Sequence, residues 1–356
     1  MSETEPGIDF APLIGHKTQI AQAEEGVTSG KMHHAWLLTG PEGIGKARFA
    51  HQLAASLIAY DDSQSALFGD PTPFRIALDE ANPDMRQVMQ SAHPDFLHIA
   101  PIQDEKNKSG MIKVEQIRAL TPFFSHKSAS GGWRVALLDN LDAVNLQGAN
   151  AMLKIVEEPP EKAIILLVAK SAGSVLPTIR SRCRELRFAH LSHEEQRILL
   201  SSHLPDADPD ALTQLALFSG GSMGYALEIA KTDALDLYEA SCLILAKPQA
   251  DASTLLDLSG KWGAARQKKL LPIAKQAFSR LLAQAALSAA GRPLPEGLMD
   301  CERTLIGCLQ DASNSLALAE LHDDFMSELS KAERAFLDMP AVFLSLFDKI
   351  HSLAHT

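Results

Sequence analysis

Gly40-Pro41-Glu42-Gly43-Ile44-Gly45-Lys46-Ala47 have the types and spacing that hold phosphate. Gly40, Gly43 and Gly45 let successive backbone N–H groups curl around phosphate oxygens at a helix start, and Lys46 adds a point charge for the outer phosphates. The last position departs from that chemistry. It calls for a Ser or Thr hydroxyl to hold magnesium, and Ala47 has none. Further along, the apolar run Trp133-Arg134-Val135-Ala136-Leu137-Leu138-Asp139 ends in an acid, where phosphate-loop proteins bind magnesium through water. In a hydrolase of this type the next residue is a glutamate that orients and deprotonates the attacking water. Here it is Asn140, which cannot accept that proton. Asp142 stands close by, and a capping or solvated role suits it better than that of a base. The loop is compatible with ATP or ADP without requiring either. Asp139 and Asn140 form a degenerate acidic pair, and neither a catalytic residue in cis nor a metal-ligand set is expected.

These residues need a sheet behind them. Ala35 to Thr39 reads as a buried strand before the loop, and Arg48 to Leu57 as a helix after it. Asp95 to Ala100 alternates like a strand, Gln103 to Gly110 reads as a charged loop, and Val114 to Phe123 as a helix. Trp133 to Asp139 is a third strand. A helix over Leu146 to Glu158 is stopped by Pro159-Pro160, and the apolar run Ala163 to Ala169 is a fourth. Pro177 opens a short helix, and Glu185 to Phe188 is the last strand. Five strands with interleaved helices imply an α/β fold, a parallel sheet covered on both faces with ligands at the carboxyl ends of its strands. Tyr60 to His93, broken by Gly69, Pro71, Pro73 and Pro83, reads as a surface excursion.

From Leu191 onward strand signals vanish, and Ser192-His193-Glu194-Glu195 opens a helical region with a capping pattern. Breaks at 204–209, 219–223, 247–252 and 292–297 suggest a small helical domain to about Ala246 and a separate bundle beyond. Leu316, Leu318, Leu321, Phe325, Leu329, Phe336, Leu337, Phe343, Leu346 and Phe347 supply its apolar stripes, read as core, or as an oligomer interface where left exposed.

Composition narrows the function classes. With a net charge of -11, the chain is not one that grips nucleic acid over its whole surface. Its basic clusters are local: Arg180, Arg182, Arg184 and Arg187, and later Arg266, Lys268 and Lys269, the second reading as a solvated helix face. Cys183, Cys242, Cys301 and Cys308 form no Cys-x-x-Cys pair, which argues for buried free thiols rather than a zinc site or a disulfide framework. The longest apolar run, Ala163 to Ala169, is far short of the ~18 residues of a membrane span, and the acidic start is no signal peptide. A cytoplasmic protein with no membrane partner is expected.

Taken together, several segments resemble the clamp-loader AAA+ family. They are Leu13-Ile14-Gly15-His16, the run His33 to Gly40, the phosphate loop, His93-Pro94-Asp95, Gly132 to Val135, Ala149 to Pro160, and Leu176 to Cys183. The likeness is strongest to the family's delta-prime branch; beyond Arg187 it rests on domain order alone. The resemblance implies an AAA+ P-loop parallel-sheet domain over 1–190, a small helical lid domain over 191–246, and a C-terminal helical collar that oligomerises over 247–356. In this family the Ser-Arg-Cys motif supplies an arginine finger in trans to a neighbour's nucleotide, which assigns that role to Arg182; the plainer reading is an ion pair with Glu185 or Glu157. Motor subunits also carry a sensing arginine near Gly221 to Ala226, and none stands there. The polar residue expected at the end of the fourth strand is not singled out among Ala169, Lys170 and Ser171. The four-cysteine zinc module of many members is missing between the first helix and second strand, so no zinc is expected. The implied role is a non-hydrolysing subunit of the DNA polymerase III clamp loader. Its implied partners are the motor (gamma/tau) and clamp-opening (delta) subunits, the sliding clamp, and primed DNA through the complex. Two rivals are an active motor ATPase of the same fold and a DNA-binding AAA+ repair protein using Arg180 to Arg187.

Overall fold

Apolar side chains at i and i+2 of a strand face one side of a sheet, so strands apolar at every position belong where both faces are covered. In a computed structural model of the chain this holds for β1 (Ala35–Thr39) and β6 (Ala163–Ala169), buried along their whole length. They join β2 (Phe96–Ile99), β5 (Arg134–Asp139) and β7 (Arg184–Arg187) in one parallel sheet of order β2-β5-β6-β1-β7. Trp36 and Leu38 face a core that includes Phe49, Leu53, Leu57 and Leu137. Ala35 and Leu37 face the opposite core, with Leu138, Met152, Val156 and Leu167. The five-stranded parallel α/β domain expected from the sequence is present, and its strand order is that of an AAA+ sheet.

The structure describes residues 10–60, 73–104, 107–128, 131–264, 270–295, 297–310, 315–335 and 338–355. The chain divides into two compact units, Met1–Glu195 and Gln196–Thr356.

Three expectations in the first unit are corrected. Residues 103–110 are not only loop: β3 (Ile102–Asp104) and β4 (Asn107–Met111) pair as an antiparallel hairpin. Backbone pairing in a separate two-stranded ribbon does not require the apolar alternation by which strands are read. The helix expected over 114–123 is two, Val114–Arg118 and Leu120–Ser125. Pro122 explains the break, because it has no N–H for the Arg118 carbonyl and fits only in a first helical turn. The segment after Tyr60 is not merely superficial: Phe74, Val88 and Met89 are buried in the first core. The helix Pro83–Met89 is capped by the Asn82 side chain, which accepts from Asp84 N at 2.9 Å and Met85 N at 3.2 Å.

Ser192 and Glu195 form the expected capping box, Ser192 N donating to Glu195 Oε2 at 3.0 Å and Glu195 N to Ser192 Oγ at 3.2 Å. The second unit is helical throughout its described secondary structure. Trp262, Phe278, Phe343 and Phe347 pack ring against ring in its core. Of the predicted stripes, Leu318, Leu321, Phe325, Leu329, Phe343, Leu346 and Phe347 are core, Leu316 is exposed, and Phe336 and Leu337 lie outside the described residues. Tyr238, from the helix Ala234–Leu245, packs on Phe278 at 5.5 Å, so contacts bridge the seam at 246. The cysteines are free, but only Cys242 and Cys301 are buried; Cys183 is half-buried and Cys308 exposed. Arg266, Lys268 and Lys269 fall outside the described residues. No described helix is long and apolar enough to cross a membrane.

Candidate nucleotide-binding site

Between the carboxyl end of β1 and the helix Lys46–Ile58 the chain must reverse within a few residues. It does so through Gly40, Gly43 and Gly45, with φ of 147°, 73° and 99°. At Gly40 the constraint is also one of space: a Cβ there would stand 2.4 Å from the Phe188 carbonyl oxygen. Gly40→Ala is therefore expected to cost about 2 kcal/mol of stability, measured by denaturant unfolding. An unchanged midpoint would show that the loop yields. His16, itself in the left-handed region at φ 52°, donates from Nε2 to the Ile44 carbonyl at 2.8 Å and braces the loop from outside.

Lys46 is buried and turned back on its own loop, where Nζ donates to the carbonyls of Gly40, at 2.6 Å, and Pro41. Burial pulls its pKa down, against the pull of Glu42 and Asp139. Asp139 closes β5 facing the same cavity of about 330 Å³, which Gly43, Gly45, Ala47, Arg48 and Lys170 also line. Burial raises the Asp139 carboxyl pKa, opposed by His51 and Lys46. The Asn140 side chain accepts from Asp142 N at 3.1 Å and so caps the short 3-10 turn Leu141–Ala143. Asp142 in turn accepts from Lys170 N at 2.8 Å, tying the end of β6 to that turn. Both residues after Asp139 have structural work that a water-activating base would not.

A phosphate group fits these residues: glycine N–H groups at a helix start, a buried lysine, and a cavity. Magnesium does not fit, because Ala47 brings no oxygen and the Asn140 amide oxygen is engaged. Among the described residues no group of three or more His, Cys, Asp or Glu is placed to hold a metal ion.

Arg182 lies elsewhere. It follows the short helix Pro177–Arg180 and precedes β7, whose Arg184 pairs in register with Trp36 and whose Arg187 pairs with Thr39. Since β7 runs parallel to β1, Arg182 stands at the amino ends of the strands and the phosphate loop at their carboxyl ends. Its guanidinium meets Glu157 at 2.8 Å and donates to the Thr178 carbonyl at 2.8 Å. Glu185, the other candidate partner, instead accepts from Thr39 Oγ1 at 2.7 Å and pairs with Arg187. The neighbouring Cys183 thiol is pushed up to about 12 by burial, which leaves it inert.

The sequence profile of the family described as DNA polymerase III, delta subunit matches residues 15–192, half of the chain. The chain belongs to this family. Like the clamp-loader resemblance it bears out, the match covers the parallel-sheet domain. The chain is 33% identical over 189 residues to DNA polymerase III subunit delta' of Pseudomonas aeruginosa, covering 53% of each. It is 28% identical over 225 residues to subunit tau of Escherichia coli, covering 62% of this chain and 32% of that one. It thus spans about half the length of the curated relatives it matches first. A DNA polymerase III gamma subunit-related protein from Thermotoga maritima superposes with a TM-score of 0.40 at 16% identity, over 93% of this chain and 99% of the other.

Within this clamp-loader family member the structure brings Gly43, Gly45, Lys46, Ala47, Asp139 and Asn140 around one cavity and leaves Arg182 apart from it. Two residues that the sequence named only among alternatives are singled out by the structure. Lys170 follows β6 directly and its Nζ meets Glu42 Oε1 at 2.9 Å across the loop. Glu157 ends the helix Leu146–Glu157 against Arg182. Strand ends facing the loop are where lining residues belong, which is the signal that could have singled out Lys170.

Proposed function

We infer that the chain is a non-hydrolysing subunit of the DNA polymerase III clamp loader that donates Arg182 to a neighbouring subunit's nucleotide. The observation that carries this reading is the opposition of the two sites across the sheet. Strand ends four residues apart are separated by roughly 13 Å at ~3.3 Å per residue, and a guanidinium at the amino ends does not reach a phosphate at the carboxyl ends. Arg182 is useful to ATP chemistry only on another chain. Its own loop meanwhile has neither metal hydroxyl nor base, since Ala47 and Asn140 occupy those positions.

On this reading the partners are the motor (gamma/tau) and clamp-opening (delta) subunits, with the sliding clamp and primed DNA reached through the assembly. The helical second unit supplies a lid and an oligomerising collar. The lid runs to about Ala246, and Arg280 and Glu302 bond it to the collar through the Leu217 and Phe218 carbonyls and the Tyr238 hydroxyl.

The purified chain is expected to show no steady-state ATP turnover while co-purifying with the motor subunits. Turnover abolished by Lys46→Ala would establish an active motor ATPase instead. The DNA-binding alternative is weakened by how its cluster is spent: Arg184 lies over the Trp36 ring at 5.0 Å, and Arg182 and Arg187 are ion-paired. Salt-sensitive DNA binding by the chain alone, without loader partners, would restore it.

A further inference from the structure

The phosphate loop keeps its lysine and loses its magnesium ligand, which in most sites would leave a nucleotide's charge half-neutralised. The structure holds a second cation over the same cavity. Lys170 Nζ sits 2.9 Å from Glu42 Oε1, and Glu42 belongs to the loop itself, between Gly40 and Gly43. Its backbone does not wander, because Asp142 Oδ2 accepts from Lys170 N at 2.8 Å. Its side chain is about half exposed, at 53%, free of packing that would prevent it from swinging toward the loop. Lys46 lines the same cavity and rests on two loop carbonyls. Both ammonium groups are therefore parked on acceptors of the loop, contacts that an incoming anion can replace.

We propose that this site takes the diphosphate end of a nucleotide without a divalent cation, with Lys170 and Lys46 supplying the positive charge that magnesium would. This rests on the phosphate-loop reading and extends it. Three features fit. Ala47 withholds the hydroxyl on which a metal would depend. Asn140 spends its amide oxygen on the Asp142 N–H, so only Asp139 remains of the metal-binding edge. Asp139 is half-buried at the cavity wall, and its desolvation favours the uncharged form, which suits a carboxyl beside phosphate with no metal between them. The Glu42 pairing meanwhile keeps Lys170 charged.

The test is calorimetric titration of the full chain with ADP, in EDTA and in millimolar magnesium. ADP is expected to bind in EDTA, and magnesium to leave the affinity unchanged or weaken it, since the ion competes for the same phosphates. Lys170→Gln is expected to weaken binding in EDTA about tenfold, as for loss of one charge-assisted contact. Ala47→Ser, which restores the missing oxygen, should make magnesium tighten ADP. Tightening of the wild-type complex by magnesium of about fivefold or more, Lys170→Gln binding like wild type, or no ADP binding at all would each overturn the proposal. Lys170 is a surface side chain, so a fold defect is not expected, and an unfolding scan of each variant confirms it. The arginine role is read separately, from ATP turnover by the assembled complex, and survives any of these results.

Discussion

Arg182→Ala is expected to lower ATP turnover at the adjoining subunit's site by about 10³-fold or more, the worth of an arginine finger, while leaving the complex assembled. The structure gives reasons for both halves of that expectation. The ion pair with Glu157 joins side chains 39% and 44% exposed, and pairs of that kind contribute roughly 0–1 kcal/mol. Losing it does not unfold the domain. The preceding helix Pro177–Arg180 keeps its own hydrogen bonds, from Ile179 N and Arg180 N to the Leu176 carbonyl, both at 3.0 Å. The guanidinium is thus cheaply held and readily released. Exchanging Glu157 for a phosphate oxygen in the transition state keeps an anionic partner and adds charge stabilisation where charge develops. Arg182→Lys should not rescue turnover, because an ammonium lacks the planar fork. The measurement is DNA-stimulated ATPase of the reconstituted complex, with assembly followed by gel filtration. Wild-type turnover in an assembled Arg182→Ala complex would remove the arginine role.

Much of the sheet was legible because its central strands are largely apolar and buried. Ala35–Thr39 and Ala163–Ala169 have the predicted limits to the residue, and the loop between β1 and its helix was readable from three glycines and a lysine. What failed did so for identifiable reasons. The hairpin at 102–111 is held by backbone pairs whose polar side chains carry no period. Pro122 divided a helix that apolar spacing alone made continuous. Cys308 is exposed although free cysteines are generally buried, and nothing in its neighbours along the chain marks that. Site geometry was legible only in part. Asn140 was recognised as a lost base, but not as a cap, because the bond that makes it one is to a backbone N–H. Lys170 was not separable from Ala169 and Ser171 because its partner lies more than a hundred residues away, in the loop itself. That Arg182 faces away from its own loop follows from β7 lying parallel to β1, as the interleaved strands and helices implied, but which strand β7 pairs with and in what register is written in neither strand.

Glu302→Leu is expected to destabilise the second unit by about 3–5 kcal/mol, the cost of stranding a largely desolvated charge. Glu302 is fully buried, at 0% exposure, and each oxygen is used. Oε1 accepts from Arg280 Nη2 at 2.5 Å and from the Tyr238 hydroxyl at 2.8 Å, and Oε2 accepts from Met299 N at 2.9 Å. Arg280 spends its other nitrogen on the carbonyls of Leu217, at 3.0 Å, and Phe218, at 2.9 Å. Those carbonyls lie in the last turn of the helix Pro209–Ser219, where that of Leu217 also accepts from Gly220 N at 3.3 Å, so Arg280 helps cap one helix while Glu302 holds it in place. Four helices, 209–219, 234–245, 270–289 and 300–309, meet through two side chains. Leucine fills the volume of Glu302 but leaves Arg280 unpaired and the Tyr238 hydroxyl without its acceptor. If the penalty comes from the stranded charge, Arg280→Met in the same chain should recover part of it. The double variant should then be less destabilised than the sum of the singles by at least about 1 kcal/mol. Full recovery is not expected, because methionine cannot cap Leu217 and Phe218. Strict additivity in urea unfolding would show that Arg280 and Glu302 act independently and that packing, not charge pairing, joins these helices.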